Sequence, residues 1–164
     1  MTQIRTATPS DIPLIRALIQ ELADYEREPH SVQITEQQLL EDGFGKQRYY
    51  ECLIAEHDGA PAGFALFFPI YSTWRGRSLH LEDLFVRPQF RGHGIGKALL
   101  QQVAAIAVER DCARLQWDVL EWNKPAIDFY RSLDATMLDE WRRMRVTDEA
   151  LSALATAKQI EAQA

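Results

Sequence analysis

The chain has 164 residues, 46% hydrophobic and 10% aromatic, enough for one globular domain with a buried core. That composition excludes a disordered chain, and no apolar run reaches the length of a bilayer span. The net charge of −6 and sequence pI near 5.2 argue against a nucleic-acid or anionic-membrane surface and suit a cationic substrate. Met1-Thr2-Gln3-Ile4-Arg5 carries no signal-peptide core, and the two cysteines and four histidines lack ligand spacing. A cytoplasmic protein without a metal is the expectation.

In chain order, residues 4–7 read as a short first strand. Thr8-Pro9-Ser10-Asp11 then starts a helix, with Thr8 as cap, Pro9 at the first helical position and Asp11 in the first turn. Ile12, Ile15, Leu18, Ile19 and Leu22 give that helix one apolar face, ending near Tyr25. Thr35-Glu36-Gln37-Gln38 is a second capping box, and its helix is expected to stop at Asp42-Gly43. A hairpin follows over 49–70, turning at His57-Asp58-Gly59-Ala60, and 79–86 forms the next antiparallel strand. A long helix to Arg110, a strand over 113–119 and a short helix begun at Asn123-Lys124-Pro125 come next. Residues 141–147 read as a last strand, and Thr147 caps a polar C-terminal helix. The order predicts a mixed α/β domain with antiparallel and parallel strand pairs.

The most informative run is Arg91-Gly92-His93-Gly94-Ile95-Gly96-Lys97, between the strand that ends at Val86 and a helix carrying Ile95, Leu99, Leu100 and Val103 at helical spacing. Unpaired backbone N–H groups and the helix dipole favour an anion there, and glycine lets several amides approach one pyrophosphate. Two phosphate motifs fail. A Walker loop needs glycine at Arg91 and Ser or Thr at Ala98, and a dinucleotide fingerprint needs its third glycine at Lys97.

The remaining pattern resembles the pyrophosphate loop of the GNAT N-acetyltransferases, which bind acetyl-coenzyme A. Further stretches narrow the resemblance: Tyr25-Glu26, Tyr71-Ser72-Thr73-Trp74, Leu81-Glu82-Asp83-Leu84-Phe85-Val86, Glu121-Trp122-Asn123 and Asp128-Phe129-Tyr130. Together these are similar to the spermidine/spermine (diamine) acetyltransferases and their thialysine-acetylating relatives, from about residue 4 to 146. The resemblance implies one N-acetyltransferase domain over 1–164 with a helical tail from 147. Its sheet would be twisted, mainly antiparallel and flanked by helices, and the protein a homodimer acting on a small-molecule amine.

A primary amine with a pKa of about 10 is protonated at neutral pH, so a base must take its proton before attack. Glu82 is the expected base, acting through a water, and strict alternation sends Asp83 to the opposite face. The resemblance assigns the oxyanion donor to the Leu84 N–H and the pantetheine contacts to Phe85 and Val86. It assigns the proton donor for the leaving thiolate to Tyr130, and a further cofactor contact to Asn123. Arg91, Gly92, His93, Gly94, Ile95, Gly96 and Lys97 would surround the phosphates. Tyr25, Glu26, Trp74, Glu82, Asp118 and Glu140 are the expected contacts of the amine, in an acidic groove spanning one or two subunits. Two departures stand out: Asp134 replaces the glycine that follows the last core helix, and the acidic stretch before Trp141 is short. The acceptor therefore stays open among diamines, polyamines, lysine analogues and protein amines, and a coenzyme A-binding regulator without turnover is the rival class.

Overall fold

The computed structural model describes residues 1–156. The chain divides into two compact units, Met1–Trp122 and the residues from Asn123 onward. In the first, β1 (Thr2–Thr6) leads through a 3-10 turn (Pro9–Asp11) into α1 (Ile12–Tyr25) and then α2 (Glu36–Phe44). Strands β2 (Glu51–His57), β3 (Ala60–Ser72) and β4 (Gly76–Val86) follow. A second 3-10 turn (Pro88–Phe90), α3 (Ile95–Glu109) and β5 (Arg114–Gln116) complete it. The strands lie side by side in sequence order, antiparallel from β1 to β4 and parallel between β4 and β5.

Both helix-start signals form as the sequence reads. Thr8 N–H and Oγ1 donate to the Asp11 carboxylate at 2.7 and 2.9 Å, and Arg5 grips the same carboxylate with two bonds of 2.8 Å. Thr35 and Gln38 exchange the two bonds of a capping box, at 3.1 and 2.9 Å. The expected stop at Gly43 is corrected: α2 runs on to Phe44, and Gly43 is buried inside it. Its missing side chain makes room for the Tyr50 ring, whose hydroxyl donates to Leu39 O at 2.6 Å.

The sheet is covered on both faces. Ile12, Ile15, Leu18 and Leu22 of α1 and Leu39 of α2 pack on Cys52, Ile54, Phe64, Leu66 and Phe85. The alternate strand residues Leu53, Ala65, Phe67 and Leu81 are equally buried, and α3, lying against β3 and β4, buries Leu99, Val103 and Ala107. Period-two burial with a helix on each face is what fixes the strand register.

The second unit holds α4 (Lys124–Arg131) and α5 (Asp148–Thr156). The Asn123 side chain caps α4 by accepting from Ala126 N, and Asp134 adopts the left-handed conformation (φ 62°) that the sequence requires of it. Residues 157–164 of the expected helical tail lie outside the described residues. The strand expected over 141–147 does not form. These residues are exposed and carry no sheet hydrogen bonds, because apolar pattern alone gives an extended segment no ladder partner. The strand expected over 113–119 shrinks to Arg114–Gln116, for a reason that lies in β4.

Candidate active site

β4 carries a bulge. Phe67 of β3 pairs with Leu81 and Leu66 with Asp83, so Glu82 is the extra residue. The bulge resets the alternation of the strand. Asp83, opposite Leu66, shares a face with His80, opposite Phe68, while the Glu82 carboxylate also reaches His80, its Oε2 3.2 Å from His80 Nε2. The expected opposition of Glu82 and Asp83 is therefore overturned. An inserted residue breaks the period of two, and no spacing rule reveals it in advance.

The same bulge opens the sheet. The β4–β5 ladder ends at the pair His80–Gln116, while β4 continues to Val86. Beyond that fork the β5-side edge of residues 82–86 has no strand partner among the described residues, the kind of edge that an extended ligand arm can pair with. Asp118, two residues past β5, approaches His80 Nε2 from the other prong at 4.0 Å.

The carboxylates gathered at the fork perturb one another. Burial, then the nearby charges of Glu82 and Glu26, push the Asp83 carboxyl up to about 7. Burial and then Glu82 raise Glu26, at the C-terminus of α1. Four acidic groups (Glu26, Glu82, Asp83 and Asp118) thus converge, and their mutual repulsion marks a place that would favour a cation. Cys52, behind Asp83, has its thiol pushed well above the usual range by burial, so no thiolate is available there.

Next in the chain comes the glycine loop. Gly92 (φ 83°) and Gly94 (φ 74°) occupy left-handed conformations, and Gly94 is the N-cap of α3. A side chain at either would meet no protein atom within 4 Å, and one at Gly96 only Val86 Cγ2 at 3.7 Å. The protein itself does not need Gly96, so the bare surface above the first turn of α3 is a cradle that side chains would fill. That observation fits a pyrophosphate, with the first N–H groups of α3 as donors. Arg91 bends back: its Nε donates to Val86 O at 3.0 Å and its guanidinium lies 4.9 Å over the Tyr25 ring. His93 packs on His57, ring centroids 4.8 Å apart, and Lys97 is exposed. Arg87 anchors the loop, binding Glu21 at 2.7 and 2.9 Å and Pro61 O at 2.9 Å.

Of the expected amine contacts, the structure brings together Glu26, Glu82 and Asp118. Tyr25 stands nearby on α1, between Arg91 and Trp122, whose ring centroid is 6.1 Å away. Arg27 covers the Trp122 ring at 4.0 Å. Trp74 is elsewhere: it is 82% exposed at the tip of the β3–β4 hairpin, and the six steps along the strand from Gly76 to Glu82 span about 20 Å. Asn123, Tyr130 and Glu140 belong to the second unit, where the Tyr130 ring lies 5.3 Å from that of Phe129. His80 and Asp83 are the residues that sequence reasoning left out. His80 had a legible signal, standing two residues before Glu82 on one strand. Asp83 had none without the bulge.

Comparison with known proteins follows the same lines. The family model described as Acetyltransferase (GNAT) family matches residues 15–134. The thialysine N-epsilon-acetyltransferase of Bos taurus is 42% identical over 163 residues, covering 93% of this chain and 96% of that protein. An integron cassette protein from the mobile metagenome of V. cholerae has a TM-score of 0.79 at 25% identity, over 95% of this chain and 98% of its own. A predicted acetyltransferase of Clostridium acetobutylicum, solved with acetyl-CoA, shares the fold with a TM-score of 0.72 at 20% identity, over 88% and 96%.

Proposed function

The chain belongs to the GNAT acetyltransferase family, and from that premise we propose that it moves acetyl from acetyl-coenzyme A directly to the primary amine of a small cationic acceptor, a diamine, polyamine or lysine analogue such as thialysine. The observation that carries the acceptor class is the convergence of Glu26, Glu82, Asp83 and Asp118 at the fork of the sheet. Supporting the donor are the bare cradle at Gly92, Gly94 and Gly96 and the unpaired edge of β4. In this reading residues 1–164 work as one domain, consistent with a family match that crosses from the first unit into the second.

Bound acetyl-coenzyme A supplies the acetyl group as an activated thioester. The chain's own residues do the rest. Amides from Gly92 to Lys97 hold the pyrophosphate, and backbone groups of Leu84, Phe85 and Val86 hold the arm. The Leu84 N–H donates to the carbonyl oxygen where charge develops. Glu82 takes the proton of the bound ammonium, directly or through a water, so that the neutral nitrogen attacks. Tyr130 gives its phenolic proton to the departing sulfur, and Asn123 lines the same arm. No side-chain nucleophile is required, in keeping with a Cys52 thiol that burial keeps protonated. The exposed hairpin bearing Trp74 fits a homodimer in which one protomer completes the acceptor groove of the other.

Free-thiol release from acetyl-coenzyme A over a panel of spermidine, spermine, putrescine, thialysine, lysine and peptide N-termini tests this. Selective turnover of one small cation is expected. Coenzyme A binding without turnover of any amine would instead make the protein a regulator, and turnover of peptides alone would move the acceptor to protein amines. Tyr130→Phe should bind the cofactor yet lose most of its turnover. Wild-type rates in that variant would remove Tyr130 from the mechanism.

A further inference from the structure

The residue at the fork of the sheet has no role in the reaction as set out above. His80 is 7% exposed, its ring lies 5.2 Å from that of its cross-strand neighbour Phe68, and it forms the last rung of the β4–β5 ladder. One edge alone reaches the acidic groove: Nε2, 3.2 Å from Glu82 Oε2 and 4.0 Å from Asp118 Oδ2. Glu82, by contrast, is an unpaired residue on a bulge with a half-exposed side chain. Nothing in the strand ladder fixes where its carboxylate points, yet proton transfer demands that it be fixed.

We propose that His80 is the positioning residue of this site. The Nε2 edge of its imidazole, 3.2 Å from Glu82 Oε2, holds one oxygen so that the other faces the ammonium, and Asp118 Oδ2 stands 4.0 Å from the same nitrogen on β5's side of the fork. The packed ring is what makes this work: Phe68 and the ladder clamp His80, and His80 in turn clamps a carboxylate that the bulge leaves loose. The inference rests on Glu82 being the base.

The test compares wild type, Glu82→Gln, His80→Phe and His80→Gln, with thialysine as acceptor and melting temperatures measured alongside. His80→Phe keeps the ring packing and removes the donor, so kcat should fall about tenfold to a hundredfold while the KM for acetyl-coenzyme A stays put. His80→Gln restores an N–H near the Nε2 position and should recover to within about threefold of wild type. A fluorinated diamine, already largely neutral at the assay pH, should feel His80→Phe far less than thialysine does. A merely structural histidine would slow both acceptors equally, and that result overturns the proposal. Wild-type rates in His80→Phe beside an impaired Glu82→Gln would remove His80 alone. No turnover by the wild type with any amine would remove the base and His80 together. Nitrogen-15 NMR of the unsubstituted protein gives a readout free of folding effects: the His80 ring should carry a proton at Nε2, and a ring protonated at Nδ1 alone refutes the assignment.

Discussion

Glu82 and Asp83 are adjacent carboxylates with different fates. Glu82 is half-exposed beside His80, which suits a group that must exchange protons with an acceptor. Glu82→Gln should lower kcat/KM for a cationic amine by about 100-fold to 10,000-fold, with partial recovery as pH rises toward the pKa of the amine. Initial rates across pH would show this, and a variant within a few-fold of wild type would exclude Glu82 as base. Asp83 carries a cost instead. Its folded-state carboxyl sits at about 7 against an ordinary 3.8, so the native state holds the proton more tightly than the unfolded chain does. The stability linked to this proton is complete below about pH 4 and is lost as pH rises through 7. Asp83→Asn should therefore be more stable than wild type by about 1–2 kcal/mol at pH 8, after discounting for part exposure, and no more stable at pH 4. Melting curves at the two pH values decide it; a pH-independent difference would mean that the carboxyl is not held protonated.

At the scale of elements, glycine does two different jobs. Gly43 is inside α2 because the Tyr50 ring lies where a Cβ would be, within 2.5 Å at two atoms. Gly43→Ala should thus destabilise by about 1–3 kcal/mol despite alanine's better helix propensity, as urea midpoints would reveal. Gly94 meets no neighbour, but its φ of 74° lies where an alanine is strained. Gly94→Ala should cost about 1–2 kcal/mol and weaken acetyl-coenzyme A binding as well. Equal calorimetric affinity in the variant would show that the loop backbone does not hold the phosphates. The sequence announces both capping boxes, the hairpin and the glycine loop, since each is a local pattern with a local cause. It does not announce the bulge, which is a mismatch of register between two strands and lives in neither alone.

At the scale of the molecule, an excess of six negative charges creates a field that gathers cations, focused where four carboxylates meet. Raising salt from about 0.05 to 0.5 M should raise the KM of a dicationic acceptor several-fold. The KM of a neutral amine should stay level, and steady-state kinetics with both would expose a salt effect that is not electrostatic. The sequence alone determined the fold class and where α1 ends, at Tyr25, whereas the start of α1 moves from Pro9 to Ile12 behind a 3-10 turn; the glycine loop and Glu82 are the positions it singled out for the proposal. Periodicity, caps and glycine spacing are written within a few residues of one another. Tertiary structure alone decided that β5 stops at Gln116, that residues 141–147 form no strand, and that Trp74 stands about 20 Å of strand from Glu82 within one chain. It also decided that His80 and Asp83 join Glu82 at the fork. Those facts depend on which strands find partners and on one residue inserted into a ladder, and pairing over such distances along the chain leaves no local mark.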